Sequence, residues 1–380
     1  MKKNTICVTV IILFLLIVTA FVYPEIKEIK NPDKPLKGEW PFALKQVWEI
    51  ANAGDDLIGA IRQLVIAKDG RIYASDVRTQ KFYILDKDGK LIKAFGSKGE
   101  GPDEIKRIGT SRMYLVNDKL LILDSGRVHY FTLEGKYIQS VVNPWLPHFF
   151  IDEDTFITAP LFAREVKDGI AHISLYNLKT KQQTQIYEYP FYDKSSTLVN
   201  GHPSTFIRTG VTPMMVIGCV PGGNTLYFGV NDSYKIHIAN LKGEISGIFY
   251  VDREPTEITK EMKQIDLDAA RKLMPPSEYE KLLTMKGPKY TTFFGNIETH
   301  NGLIYVFPDE PYKPQEQSHR MLVDIFSPEG KYLYRGDISL KPGQVIGSSA
   351  AIYGNHLYTG LMNEDDDIVI AKYEINLPTE

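Results

Sequence analysis

Residues 69–104 read DGRIYASDVRTQKFYILDKDGKLIKAFGSKGEGPDE. The stretch divides into three short strands and a glycine-rich loop. In 71–75, Ile72 and Ala74 share one face and Tyr73 takes the other. A second strand follows at 81–85, an Asp-Lys-Asp-Gly turn at 86–89, and a third strand at 90–95. Turn residues of this kind tolerate positive φ, and apolar/polar alternation suits half-buried strands.

The unit recurs. A turn pair opens it at 69–70, 117–118, 153–154, 222–223, 301–302 and 354–355. The strands that follow are RIYASD, KLLILD, TFITAP, NTLYFGV, LIYVFP and HLYTGL. Each is preceded by another apolar stretch (61–67, 113–116, 148–151, 214–220, 293–299 and 348–353), which makes four strands per unit, innermost first. Six units of about fifty residues are the signature of a propeller. The fold class expected is therefore all-β: a six-bladed β-propeller over residues 42–380. The sixth unit lacks an outermost strand, and FALKQVWEIA at 42–51 is a strand without a unit. Pairing the two closes the ring between the N- and C-terminal strands and removes an open edge.

One segment breaks the repeat. Residues 253–289 have helical character: Thr259 suits an N-cap, Met262, Ile265, Ala269 and Leu273 share a face, and Pro275-Pro276 ends the pattern. Ser277 and Glu280 have the spacing of a capping box. A helical insertion is expected between blades four and five.

Residues 4–24 carry no charge, follow Lys2-Lys3, and hold VTVIILFLLIV at 8–18. This reads as an export signal, cleavable after Ala20, or as a retained anchor, so residues 1–23 form a signal peptide or membrane anchor and the body is extracytoplasmic. A tether through residues 4–24 is one of the partners implied. The polar, proline-punctuated stretch 24–41 reads as a linker.

The chain has 44 basic and 47 acidic residues, a net charge of −3, so no basic excess points to nucleic acid. Its two cysteines, Cys7 in the apolar run and Cys219 in the body, do not form a disulfide framework.

The motifs DG-x-IY-x-x-D, DKDGK-x-I-x-x-F and FGSKGEGPDEI (95–105) resemble the six-bladed NHL-like propellers of exported bacterial proteins, in which the loop reads G-x-x-G-x-GP-G-E-F. Asp103 stands here for the usual Gly and Ile105 for the usual Phe. The insertion leading into PKYTTFFGNIETHNGLIYVF (288–307) is similar too. The resemblance spans residues 42–377. It implies the fold and leaves function open, since such propellers include binding modules, scaffolds and a few lyases and hydrolases.

Strand order places the loops between outer and next inner strands on one face, with the loops between second and third strands. That upper face is where propellers bind. Ligand-binding candidates on it are Lys98, Glu100, Asp103, Arg127, His148, Arg164, His202 and Arg208. Several arginines at a channel mouth suit an anionic or polar ligand. No layer of three histidines, no carboxylate-rich calcium centre and no G-x-S-x-G is evident, so no metal or cofactor is expected. The reading is an exported propeller that binds a small polar ligand or a protein partner and does no chemistry. The alternatives are a lyase or hydrolase using upper-face polar residues, and a structural scaffold in an envelope complex.

Overall fold

In a computed structural model, the chain is described over residues 26–379, except 102–103, 161–165, 167–168, 192–196, 200–201, 205–212, 221, 274–275, 285–288, 310–319 and 342–344. Six antiparallel sheets follow one another in sequence order, each with its innermost strand first. Blade one comprises Ile61–Ile66, Ile72–Asp76, Lys81–Leu85 and Leu91–Phe95. Blade two runs from Arg112–Val116 to Tyr137–Val142, blade three from Pro147–Phe150 to Gln183–Pro190, and blade four from Met215–Cys219 to Ile245–Asp252. Blade five runs from Phe294–His300 to Tyr332–Ser339. Blade six has Val345–Tyr353, His356–Met362 and Ile368–Ile375, and its fourth strand is Leu44–Ile50 from the other end of the chain. The ring is closed by the pairing of N- and C-terminal strands, as their alternation demands.

The apolar residues of the repeat fill six clusters, one between each pair of neighbouring blades. Tyr73, Phe82, Ile122 and Phe131 lie between blades one and two. Phe249, Phe294 and Phe326 lie between four and five, and Tyr83, Tyr358 and Ile370 seal six against one. Strand alternation sends successive side chains to opposite faces of a blade, so each blade contributes to two clusters. Burying one such large side chain contributes about 1.5–3 kcal/mol, and every interface supplies several.

In blades one, two, four and six an Asp or Asn that ends or follows the second strand has a structural task. Asp76 accepts the backbone amides of Gly59 (2.8 Å), Ala60 (3.1 Å), Arg78 (2.8 Å) and Thr79 (3.2 Å). Asp124 accepts those of Lys106 and Arg107. Asn231 accepts the amide of Met214 and donates to the carbonyl of Phe294. Asn363 accepts those of Asp365 and Asp367. These residues satisfy donors at the upper end of the blades that no ladder reaches.

Of the stretch expected to be a linker, 24–41, the described residues from 26 onward are instead built into the ring. Lys27–Pro32 adds a parallel fifth strand to the outer edge of blade four, and Glu39–Trp40 does so on blade five. KEIKNP carries little apolar alternation, so its strand character is not legible. Main-chain pairing holds it, together with Asn31, which donates to the carbonyls of Tyr250 (3.0 Å) and Gly330 (2.9 Å) and accepts the amide of Tyr332 (2.9 Å).

Between blades four and five lie two helices, α1 (Lys260–Leu273) and α2 (Pro276–Thr284). Thr259 caps the first, its hydroxyl accepting the amide of Met262 at 3.2 Å, with Glu261 in the first turn. Among the described residues no helix is long and apolar enough to cross a membrane. Residues 1–23, read as signal or anchor, lie outside the described residues.

Candidate functional site

The glycine-rich loop between blades one and two is built on Glu104. Its carboxylate accepts the amide of Gly101 at 2.7 Å. A Cβ on Gly99 would come within 1.9 Å of Glu104 Oε2, and one on Gly101 within 2.9 Å. The glycines are there so that the carboxylate can sit against the backbone. Ile105 is fully buried between the two blades, and its amide and carbonyl pair with Ser97 and Gly99. The next two residues, Lys106 and Arg107, have their amides on the buried Asp124. Both arms of the loop are thus fixed from below.

Above this frame lies a cleft of about 520 Å³, lined by Gln80, Lys98, Gly99, Glu100, Lys106, Arg107, Gly109 and Thr110. Lys98, Lys106 and Arg107 bring three positive charges. Of the carboxylates nearby, Glu100 pairs with Lys106 at 2.7 Å, while Glu104 is occupied by the loop amide. Gln80 and Thr110 add neutral hydrogen-bonding groups. The result is an open, preformed, cation-rich cleft.

At the mouth of the channel, Arg112 heads the inner strand of blade two and His148 is second in that of blade three. Burial, with the Arg112 charge beside it, pushes the His148 imidazole down to about 4, so the ring is neutral at neutral pH. It therefore adds no positive charge to the channel mouth at neutral pH. The Tyr114 hydroxyl donates to the carbonyl of Pro147 at 2.7 Å and ties the inner strands of blades two and three. Gln63 does the same for blades one and two, bonding both the amide (2.7 Å) and the carbonyl (2.9 Å) of Met113. Further along the channel, Glu298 bridges Asn296 (2.7 Å) and His300 (2.9 Å) on one inner strand. Among the described residues no group of His, Cys, Asp and Glu is arranged to hold a metal.

Of the residues picked from the sequence, Lys98 and Glu100 come together in the cleft. Arg127 is exposed at the start of blade two's third strand, opposite Asp124. His148 lies at the channel mouth, and His202 belongs to a small hairpin of Thr197–Val199 and His202–Ser204. Asp103, Arg164 and Arg208 lie outside the described residues. Sequence reading missed Lys106, Arg107 and Gln80. The first two directly follow the quoted loop motif, and Asp124 explains why they belong to the site. The signal was the acidic end of the second strand, which marks where the preceding loop is anchored.

A family profile described as a 6-bladed beta-propeller matches residues 53–217, from the approach to blade one through the inner strand of blade four. The chain is a six-bladed β-propeller. The architecture is also that of two solved structures. One, from Bacteroides fragilis, is a candidate exported protein, 12% identical with a TM-score of 0.55, the match covering 92% of this chain and all of that one. The other, from Bacteroides vulgatus, is a member of the family described as duf4221, 13% identical with a TM-score of 0.52, covering 89% of this chain and 99% of that one. At such identities the likeness is one of fold. No curated protein matches the propeller in sequence.

Proposed function

We propose that this propeller is exported and binds a polar, anion-bearing ligand, or a partner presenting such a group, in the cleft on its upper face, without chemistry of its own. The observation that carries the reading is the frame of Glu104 and Asp124 beneath Lys98, Lys106 and Arg107. A ligand meeting a pre-shaped cationic cleft loses less on ordering it than it would on a loose loop. Export is supported by the uncharged run at 4–24 after Lys2-Lys3. A ring closed on its own terminus gives such a site a rigid mount.

Native mass spectrometry of the body purified from its own source, before and after chelation, tests the reading. A retained small anion in stoichiometric amount, unaffected by chelation, is the expected result. A stoichiometric metal lost on chelation would overturn the reading and favour a lyase or hydrolase.

A further inference from the structure

A second cavity opens on the upper side, between blades three and four. It measures about 160 Å³ and is half-enclosed. Tyr187 and Tyr189 come from the outer strand of blade three, Met215 from the inner strand of blade four, and His237 from the third strand of blade four. Asp232 and Ser233, in the turn between second and third strands, edge the mouth and are exposed.

The walls are held in place by packing. The His237 ring stacks on the fully buried Phe228 ring at 5.2 Å and 14°. Tyr187 leans on both, 4.7 Å from Phe228 and 5.3 Å from His237. Gly229 lets the backbone of Lys235 approach, since a Cβ there would come within 2.2 Å of the Lys235 carbonyl oxygen. The Lys235 amine lies over the Tyr250 ring at 5.5 Å. Burial and the Lys235 charge push His237 down to about 4, so the wall bears no positive imidazole at neutral pH.

Size and chemistry narrow the occupant. An apolar cavity of about 150 Å³ holds one benzene ring, so this one has room for a single six-membered ring. Its back wall is aromatic and thioether surface, and its mouth carries a carboxyl and a hydroxyl. A flat apolar face of the guest would lie on Tyr187, and hydroxyls at its edge would meet Asp232 and Ser233. We propose that this cavity is a binding site for a single uncharged hydroxylated ring, a monosaccharide or the terminal sugar of a glycan. It is separate from the cationic cleft between blades one and two, and neither proposal depends on the other.

Saturation-transfer NMR on the whole chain with D-glucose, D-galactose and D-mannose, and with phenol as a ring without the hydroxyl pattern, tests this. At least one of the three sugars is expected to receive saturation. Asp232→Ala, a change at an exposed residue, should weaken that sugar at least tenfold, and Tyr187→Leu should abolish the signal. Lys98→Glu should leave it unchanged. No transfer to any of the three sugars, transfer to phenol alone, or an unchanged affinity in Asp232→Ala would each overturn the assignment.

Discussion

Arg253 donates to Asp324 at 2.8 Å across the interface of blades four and five. Asp324 is fully buried and accepts also from Arg335 (3.0 Å), Tyr234 (2.7 Å) and Tyr332. Arg253 reaches on to Asp33 at 2.5 Å, in the N-terminal strap between its two edge strands. One buried carboxylate thus joins two blades, the strap and the chain entering α1. Burial alone would raise the Asp324 pKa. The charge and hydrogen bond of Arg253, with Arg335 and Tyr332, outweigh that and hold it below the ordinary carboxylate value.

Removing that carboxylate leaves the Arg253 and Arg335 guanidinium groups to share the half-exposed Asp33 as their remaining acidic partner. Asp324→Ala should cost about 3–5 kcal/mol, the range for breaking one partner of a buried ion pair. Urea unfolding monitored by tryptophan fluorescence measures it. A loss below about 1 kcal/mol would show that the network is dispensable.

Acid should weaken the protein in two separate windows. Neutral His148 and His237 have folded values near 4 against an ordinary 6.5, so the unfolded chain binds more protons in between. Their share of stability is lost as pH falls from about 6.5 to 4, roughly 1–3 kcal/mol for a ring at 1.4 kcal/mol per pKa unit. Asp324, with its folded value depressed, contributes above the ordinary carboxylate value and loses its share as pH falls further. Melting temperature against pH should be shallower above pH 4 in His148→Gln. In Asp324→Asn only the lower window should flatten. A wild-type curve flat from pH 7 to 4 would contradict the histidine assignment.

Deleting 42–51 should destabilise the whole ring, because Leu44–Ile50 is the outer strand of blade six. An unchanged melting temperature would contradict closure between the termini. Asn31→Ala should cost about 1–3 kcal/mol, since it strands a buried amide and two carbonyls. A melting temperature equal to wild type would show that the strap is held by its ladder alone.

The ring was legible because its cause is periodic. A turn pair followed by a short apolar strand recurs six times with a register that alternation enforces, and the unpaired strand at 42–51 pointed to its partner. The strap was not legible: Ile29 is the only apolar residue in Lys27–Pro32, and its partners lie over two hundred residues away. The site was half legible. Lys98 and Glu100 stand in a loop that the motif marks. Lys106 and Arg107 join it only through Asp124, a contact that spacing does not reveal. His148 stands near the start of the inner strand of blade three, and its burial beside Arg112, which makes it neutral, depends on the neighbouring blade.

Gly99→Ala separates the frame from the charges it holds. The new methyl must displace the Glu104 carboxylate, so the loop should shift and ligand affinity fall at least tenfold while global stability changes by less than about 1 kcal/mol, as for a surface loop. Affinity equal to wild type would mean that the loop frame does not shape the cleft.

The most direct test of the central claim is a calorimetric titration of phosphate and citrate into the wild-type chain and into Lys98→Glu/Arg107→Glu, at low and at physiological salt. The cleft predicts saturable binding of at least one of these anions by the wild type, weakened by salt, and lost in the double variant with its melting temperature unchanged. Binding of neither anion by the wild type, or equal binding by the variant, would contradict it.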